Sequence, residues 1–162
     1  MTMIQELMTT VYLDDLIPGQ HFRTQSYALA EAELTTFAAQ FDPQPFHLDP
    51  QAARQSVFGG LVASGWYTAA ITMRLMVTSG ISIAGGVVGL GGEISWPKPT
   101  RPGDELHVEA EVLEVAASRR PDRGVATLRC ETRNQLGESV QVLTVKLLVP
   151  RRSAAAAGES AS

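Results

Sequence analysis

At 162 residues, 44% of them hydrophobic, the chain falls in the range of one domain and can fill one core without disulfides or metals. Seventeen acidic residues against thirteen basic ones give a formal charge of -4, and the Lys and Arg residues are scattered, which excludes an electrostatic footprint for nucleic acid. One cysteine, Cys130, with no His or Cys close by in sequence, offers neither an internal disulfide nor a zinc pattern, so a reducing, cytoplasmic setting is expected.

Residues 1–18 read as a lead-in arm that ends at Pro18-Gly19. Its acidic residues Glu6, Asp14 and Asp15, without a basic-then-apolar order, do not suggest export. Gln20 to Leu29 has the aromatic and Thr content of a short strand. Over 31–41, Leu34, Phe37, Ala38 and Phe41 share one helical face, and Glu31 and Glu33 suit the dipole of the first turn, so a helix ending near Asp42 is expected. Pro43 and Pro45 then predict a stiff loop from Asp42 to His47. A brief helix from Asp49 to Ser56, with Asp49 as cap and Pro50 at its first position, precedes a turn at Phe58-Gly59-Gly60.

The most apolar stretch, Leu61 to Gly80, contains Ser64, Gly65, three threonines and Arg74, which favours a buried helix over a membrane span. A helix from about Val62 to Ser79, stopped by Gly80, is hydrophobic nearly all round and should be wrapped on most sides. Everything after Gly85 reads as strand. Leu106, Val108, Ala110 and Val112 alternate with His107, Glu109 and Glu111, and the phase switches at Leu113 and again between Val142 and Leu143 predict bulges or strong bends. Turn signals at Pro121-Asp122 with Gly124, and at Asn134 to Gly137, join antiparallel neighbours into a meander. Residues 1–152 then form one α+β domain, a curved antiparallel sheet wrapped around a long central helix. Residues 153–162 are expected to be a disordered tail.

Asp42 and His47 stand five residues apart in a proline-stiffened segment, a spacing that can hold one water between a carboxylate and an imidazole. Addition of water across an activated double bond needs a base for the water and an acid for the α-carbon. An Asp capping a turn and a His satisfied by backbone would look the same in sequence, and both readings stay open on these residues alone. Gly65, beside Ser64 at the start of the long helix, adds free N–H groups and the positive end of a dipole, where an enolate oxygen would be stabilised. A glycine that admits close helix-to-sheet packing is the alternative. His47-x-Asp49 supplies only two possible metal ligands, which do not make a site.

The order Asp42-x-x-Pro45-x-His47-x-Asp49, then Phe58-Gly59-Gly60-Leu61-Val62-Ala63-Ser64-Gly65, then Trp96-Pro97-Lys98-Pro99-Thr100-Arg101-Pro102-Gly103-Asp104, resembles the MaoC-like dehydratases and (R)-specific enoyl-CoA hydratases, over roughly residues 10 to 150. The resemblance implies a single hot-dog domain, with Asp42 and His47 as the catalytic pair and the Gly65 backbone N–H on the thioester oxygen. The implied reaction is hydration of a trans-2-enoyl-CoA to an (R)-3-hydroxyacyl-CoA, or its reverse, with no metal and no redox cofactor and with CoA as part of the substrate. Ser64 and Trp66 are candidate substrate-binding residues, Trp66 and Tyr67 being equally readable as core.

This chain departs from the family pattern in having Gln44 for the usual Asn, Ser64 where many members have His, and Met73 where well-studied hydratases carry a supporting serine. A non-catalytic acyl-CoA-binding protein is therefore one alternative. A thioesterase is another, although no Asp or Glu occurs from Val57 to Gly92. The open edge of such a sheet predicts a homodimer or a higher homo-oligomer, and neither nucleic acid nor membrane is an expected partner.

Overall fold

The computed structural model describes residues 8–152, so the start of the lead-in arm and the expected tail at 153–162 lie outside the described residues. In chain order the elements are β1 (Thr10–Val11), a 3-10 turn at Leu13–Asp15, β2 (His21–Arg23), β3 (Tyr27–Ala28), α1 (Glu31–Phe41), α2 (Pro45–Leu48), α3 (Pro50–Arg54) and α4 (Gly65–Leu75). A π-helical turn, Met76–Gly80, continues α4, and β4 (Ser82–Ile83), β5 (Val88–Ser95), β6 (Glu105–Ala117), β7 (Arg123–Arg133) and β8 (Ser139–Pro150) complete the chain.

The main sheet is antiparallel in the order β2–β6–β7–β8–β5, with β3 also paired to β6. Tyr67, Ile71 and Leu75 of α4 share one core with Leu106, Val108, Ala110 and Val112 of β6, Leu128 and Cys130 of β7, and Leu147 and Val149 of β8. Alternation on β6 thus sends its apolar side chains inward toward the helix, as the period of two requires. Cys130 belongs to this core, and burial pushes its thiol up to about 11, which leaves it unreactive at neutral pH.

Several elements differ from the expectations, each for a physical reason. The strand expected over 20–29 is split into β2 and β3 because Thr24 enters the ladder with its side chain, its Oγ1 accepting from the Val108 N–H at 2.9 Å. The loop expected at 42–47 contains the single turn α2, with Pro45 at its first position, where a missing N–H costs nothing. The long helix begins at Gly65, not Val62. Residues 61–64 are as apolar as the helix, but they run extended, with Val62 and Ala63 donating their N–H groups to the carbonyls of Phe46 and Thr100.

That helix is not wrapped on most sides either. Trp66, Met73 and Val77 form an exposed apolar stripe along it, and Phe41, expected on the buried face of α1, is exposed as well. The strands are not a simple meander: β5 lies beyond β8, so the chain crosses the sheet before β6, a non-local pairing that local pattern does not encode. A bulge does occur at Leu113, between Val112 and Glu114. In β8 the irregularity falls at Val140, opposite the step from Thr132 to Arg133, and the register is continuous through Val142 and Leu143. The parallel pair β1–β4 had no expected counterpart.

α1 carries the site residue at its C-terminal end and is anchored by Leu34 and Ala38, both fully buried. Leu34→Ala should destabilise the protein by about 2–5 kcal/mol through the cavity left behind, measured as a lowered urea midpoint with an unchanged slope.

Candidate active site

Three stretches of backbone converge on one carboxylate. α1 ends at Asp42, whose N–H still bonds to Ala38 O at 2.9 Å, so the side chain leaves the helix at a fixed angle. A tight turn in which the Gln44 N–H bonds to the Asp42 carbonyl at 2.7 Å, followed by α2, turns His47 back toward it, bringing Nε2 to 3.2 Å from Asp42 Oδ2. Leu61–Ser64 supplies the third side. The Val62 carbonyl lies 2.8 Å from His47 Nδ1, and because a carbonyl can only accept, Nδ1 carries a hydrogen and Nε2 is the nitrogen that faces the carboxylate. The Phe46 ring packs edge-on to the imidazole with centroids 4.6 Å apart, which further fixes the ring.

Asp42 is held by two more donors. Ser64 Oγ donates to Oδ2 at 2.7 Å and Gln44 Nε2 donates to Oδ1 at 2.6 Å. Partial burial pushes the Asp42 carboxyl pKa up, but the hydrogen bonds from Ser64 and Gln44 and the attraction of His47 together outweigh it, and the group sits below the usual carboxylate value. Asp42 is therefore ionised at neutral pH. The longer side chain of Gln44 retains an amide donor to this carboxylate at the position where the family pattern has Asn.

Ser64 is the N-cap of α4: its hydroxyl also accepts from the Trp66 N–H at 3.3 Å. Ser64 is fully buried, with its hydroxyl engaged by Asp42 and by the helix start. Gly65, the first residue of α4, lines the cleft, and among the described residues no backbone carbonyl accepts its N–H. The Trp96 indole lies so close that a β-carbon on Gly65 would come within 2.6 Å of its Cε2. Close packing and a free N–H therefore coexist at this glycine.

The cleft encloses about 470 Å³ and is lined by Asp42, His47 and Gly65, with Phe46, Phe58 and Trp66 among its apolar walls. Trp66 is 60% exposed and meets Trp96 edge to face, so it is a wall of the cleft rather than core. Tyr67, in contrast, is buried, with its hydroxyl on Glu33 at 3.1 Å. Met73 is exposed and does not line the cleft. Sequence reasoning missed Thr68 and Thr100, buried hydroxyl residues at the cleft, and gave Trp96 only a structural part; the juxtaposition of a glycine and an indole 31 residues apart leaves no local signal. Asp49 caps α3 through the Gln51 N–H, and among the described residues no three His, Cys, Asp or Glu side chains gather as metal ligands would. His21 and His107 lie on β2 and β6, away from the cleft.

A sheet of this order packed on one long helix, with a carboxylate, an imidazole and a helix N-terminus meeting at one cleft, defines a hot-dog protein. The chain belongs to the MaoC like domain family, whose model matches residues 15–134. It is 33% identical over 143 residues to the uncharacterized protein YdeM of Bacillus subtilis (strain 168), spanning 86% of this chain and 99% of that one. Among solved structures it is similar to the MaoC-like dehydratase from Rhodospirillum rubrum, at 56% identity and a TM-score of 0.86, covering 88% of this chain and 98% of that one. It is also similar to the R-hydratase PhaJ1 from Pseudomonas aeruginosa, at 27% identity and a TM-score of 0.70, covering 87% and 86%.

Ser64→Ala removes one of the three partners that hold Asp42 ionised, so the Asp42 pKa should rise, read by carboxyl-carbon NMR titration, and an unchanged midpoint would contradict the assignment. Lost capping should cost about 0.5–2 kcal/mol at neutral pH. The linkage sign follows from the lowered folded value. Asp42 contributes stability above the unfolded carboxylate value, near ~4, which is lost as pH falls through the folded value, and Ser64→Ala should flatten that acid limb.

Proposed function

We propose that this chain is a hydratase or dehydratase of acyl thioesters that reversibly adds water to a trans-2-enoyl-CoA, giving an (R)-3-hydroxyacyl-CoA. The observation that carries this reading is the Asp42–His47 pair, 3.2 Å apart, on a cleft whose wall also carries the unpartnered Gly65 N–H. A water bound beside the pair, within reach of both Oδ2 and Nε2, gives a proton to Asp42 as its oxygen bonds to C3. The C2=C3 electron pair shifts toward the carbonyl, and the enolate oxygen is stabilised by the Gly65 N–H and the start of α4.

The cationic form of His47 then delivers its Nε2 proton to C2, which restores the thioester carbonyl. Proton return from Asp42 to His47 completes the cycle. The hydrogen bonds from Ser64 and Gln44 keep Asp42 ionised, which is the state a base toward water requires. The two groups are in contact, so a pH–rate profile would report the pair and not either residue. The reaction needs no metal and no redox cofactor, and CoA enters as part of the substrate. A thioesterase reading draws no support from α4, where Gly65–Leu75 carries no carboxylate.

Loss of enoyl-thioester absorbance with crotonyl-CoA tests this directly. Asp42→Asn and His47→Ala should each lower kcat by about 10²–10⁴ with the circular dichroism unchanged. Wild-type activity that survives both substitutions would refute the assignment.

We also propose a homodimer. β5 ends the sheet with its residues largely exposed, Val88 and Leu90 included, and Trp66, Met73 and Val77 leave an apolar stripe on α4; an open edge and an apolar stripe are what a second copy would cover. Light scattering at micromolar concentration should give twice the chain mass, and a monomer would contradict the proposal. Among the described residues no helix is long and apolar enough to cross a membrane.

A further inference from the structure

Below the cleft, the space between α4 and the sheet is filled by side chains of an unexpected kind. Thr68 and Thr72 of α4, Thr100, Thr132 of β7 and Gln141 of β8 are each at most 3% exposed. They are bonded to one another. Thr68 Oγ1 donates to Thr100 Oγ1 at 3.2 Å, Thr72 Oγ1 donates to the Thr68 carbonyl at 2.9 Å and shares a 2.6 Å contact with Thr132 Oγ1, and Gln141 Nε2 donates to Thr72 Oγ1 at 3.0 Å. The remaining Gln141 oxygen accepts from Trp96 Nε1 at 3.0 Å. The indole that lies over Gly65 is therefore tied to the last member of a buried hydroxyl and amide layer.

An acyl group with its carbonyl at the Gly65 N–H and its double bond at Asp42 and His47 can extend inward past Gly65 or outward along the cleft. The inward way is closed. The 40%-exposed Trp96 ring lines the cleft against Gly65 with its Nε1 on the buried Gln141, and displacing it would break that bond and set methylenes against polar groups that have no water to replace their partners. Outward, the cleft of the single chain is bounded by the exposed Trp66 ring and not by an enclosed pocket, so an added methylene there leaves water only in part.

We propose that Trp96, latched by Gln141, is a specificity-determining residue that closes the acyl subsite, so that the site takes thioesters of short acyl groups. The inference rests on the thioester reading above. It adds which part of the substrate the cleft rejects, and it assigns a task to an indole N–H that packing alone would not require.

The test compares kcat/KM on crotonyl-CoA and trans-2-octenoyl-CoA for wild type, Trp96→Ala and Trp96→Phe, beside calorimetric binding of the saturated butyryl-CoA and octanoyl-CoA. Wild type should favour the short substrate by about tenfold or more; Trp96→Ala should shrink that preference by a similar factor, and Trp96→Phe, which keeps a ring but loses the latch, should shrink it in part. Should Trp96→Ala fail to fold, Trp96→Phe decides. Equal use of both chain lengths by wild type, or a preference unmoved in a folded variant, overturns the inference. Binding that favours butyryl-CoA and relaxes in the variants, without hydration, would sink the hydratase reading and leave this inference standing. Hydration without chain-length preference would do the opposite, and no binding of either thioester would overturn both.

Discussion

The partly buried carboxylate of Asp42 is the constraint around which the rest of this fold is arranged. A charge at the C-terminal end of α1 faces an unfavourable helix dipole and loses part of its hydration, and without partners it would take up a proton or draw in water. Ser64, Gln44 and His47 supply those partners from three directions. Each demands something of the backbone: α1 must end at Asp42, α2 must turn His47 inward, and the chain must stay extended through Ser64 so that α4 starts at Gly65. The hydroxyl that caps α4 is the one that holds the carboxylate, so the start of α4 at Gly65 and the Asp42–His47 pair cannot move independently.

A second polar feature joins the helix to the sheet. Thr72, Thr132 and Gln141 satisfy one another where leucine or valine would be the ordinary filling, and this layer sets the helix at a fixed height over the strands. It reaches the cleft through Thr68 and through Trp96, and Trp96 also limits what may stand at position 65 to a residue without a side chain. Catalytic geometry and interior packing thus share Trp96 and Gly65.

Much of this was legible before any coordinates. The face formed by Leu34 and Ala38 fixed α1 to its observed bounds, Asp49 and Pro50 marked the cap of α3, Leu113 announced its bulge, and Asp42, His47 and Gly65 meet at one cleft. What stayed hidden depended on non-local pairing. Leu61–Ser64 has the composition of a helix, and only the carbonyls of Phe46 and Thr100, far off in sequence, hold it extended. The place of β5 beside β8 and the approach of Trp96 to Gly65 are of the same kind. The direction of the Ser64 hydroxyl is likewise non-local, because it is decided by where α1 ends and places Asp42.

Hydration at the Asp42–His47 pair, with the thioester bond left intact, is the central claim, and product analysis after incubating crotonyl-CoA with the wild-type protein in D2O tests it most directly. The predicted product is (R)-3-hydroxybutyryl-CoA with one deuterium at C2. Free crotonate and CoA, or crotonyl-CoA returned unchanged, would contradict it.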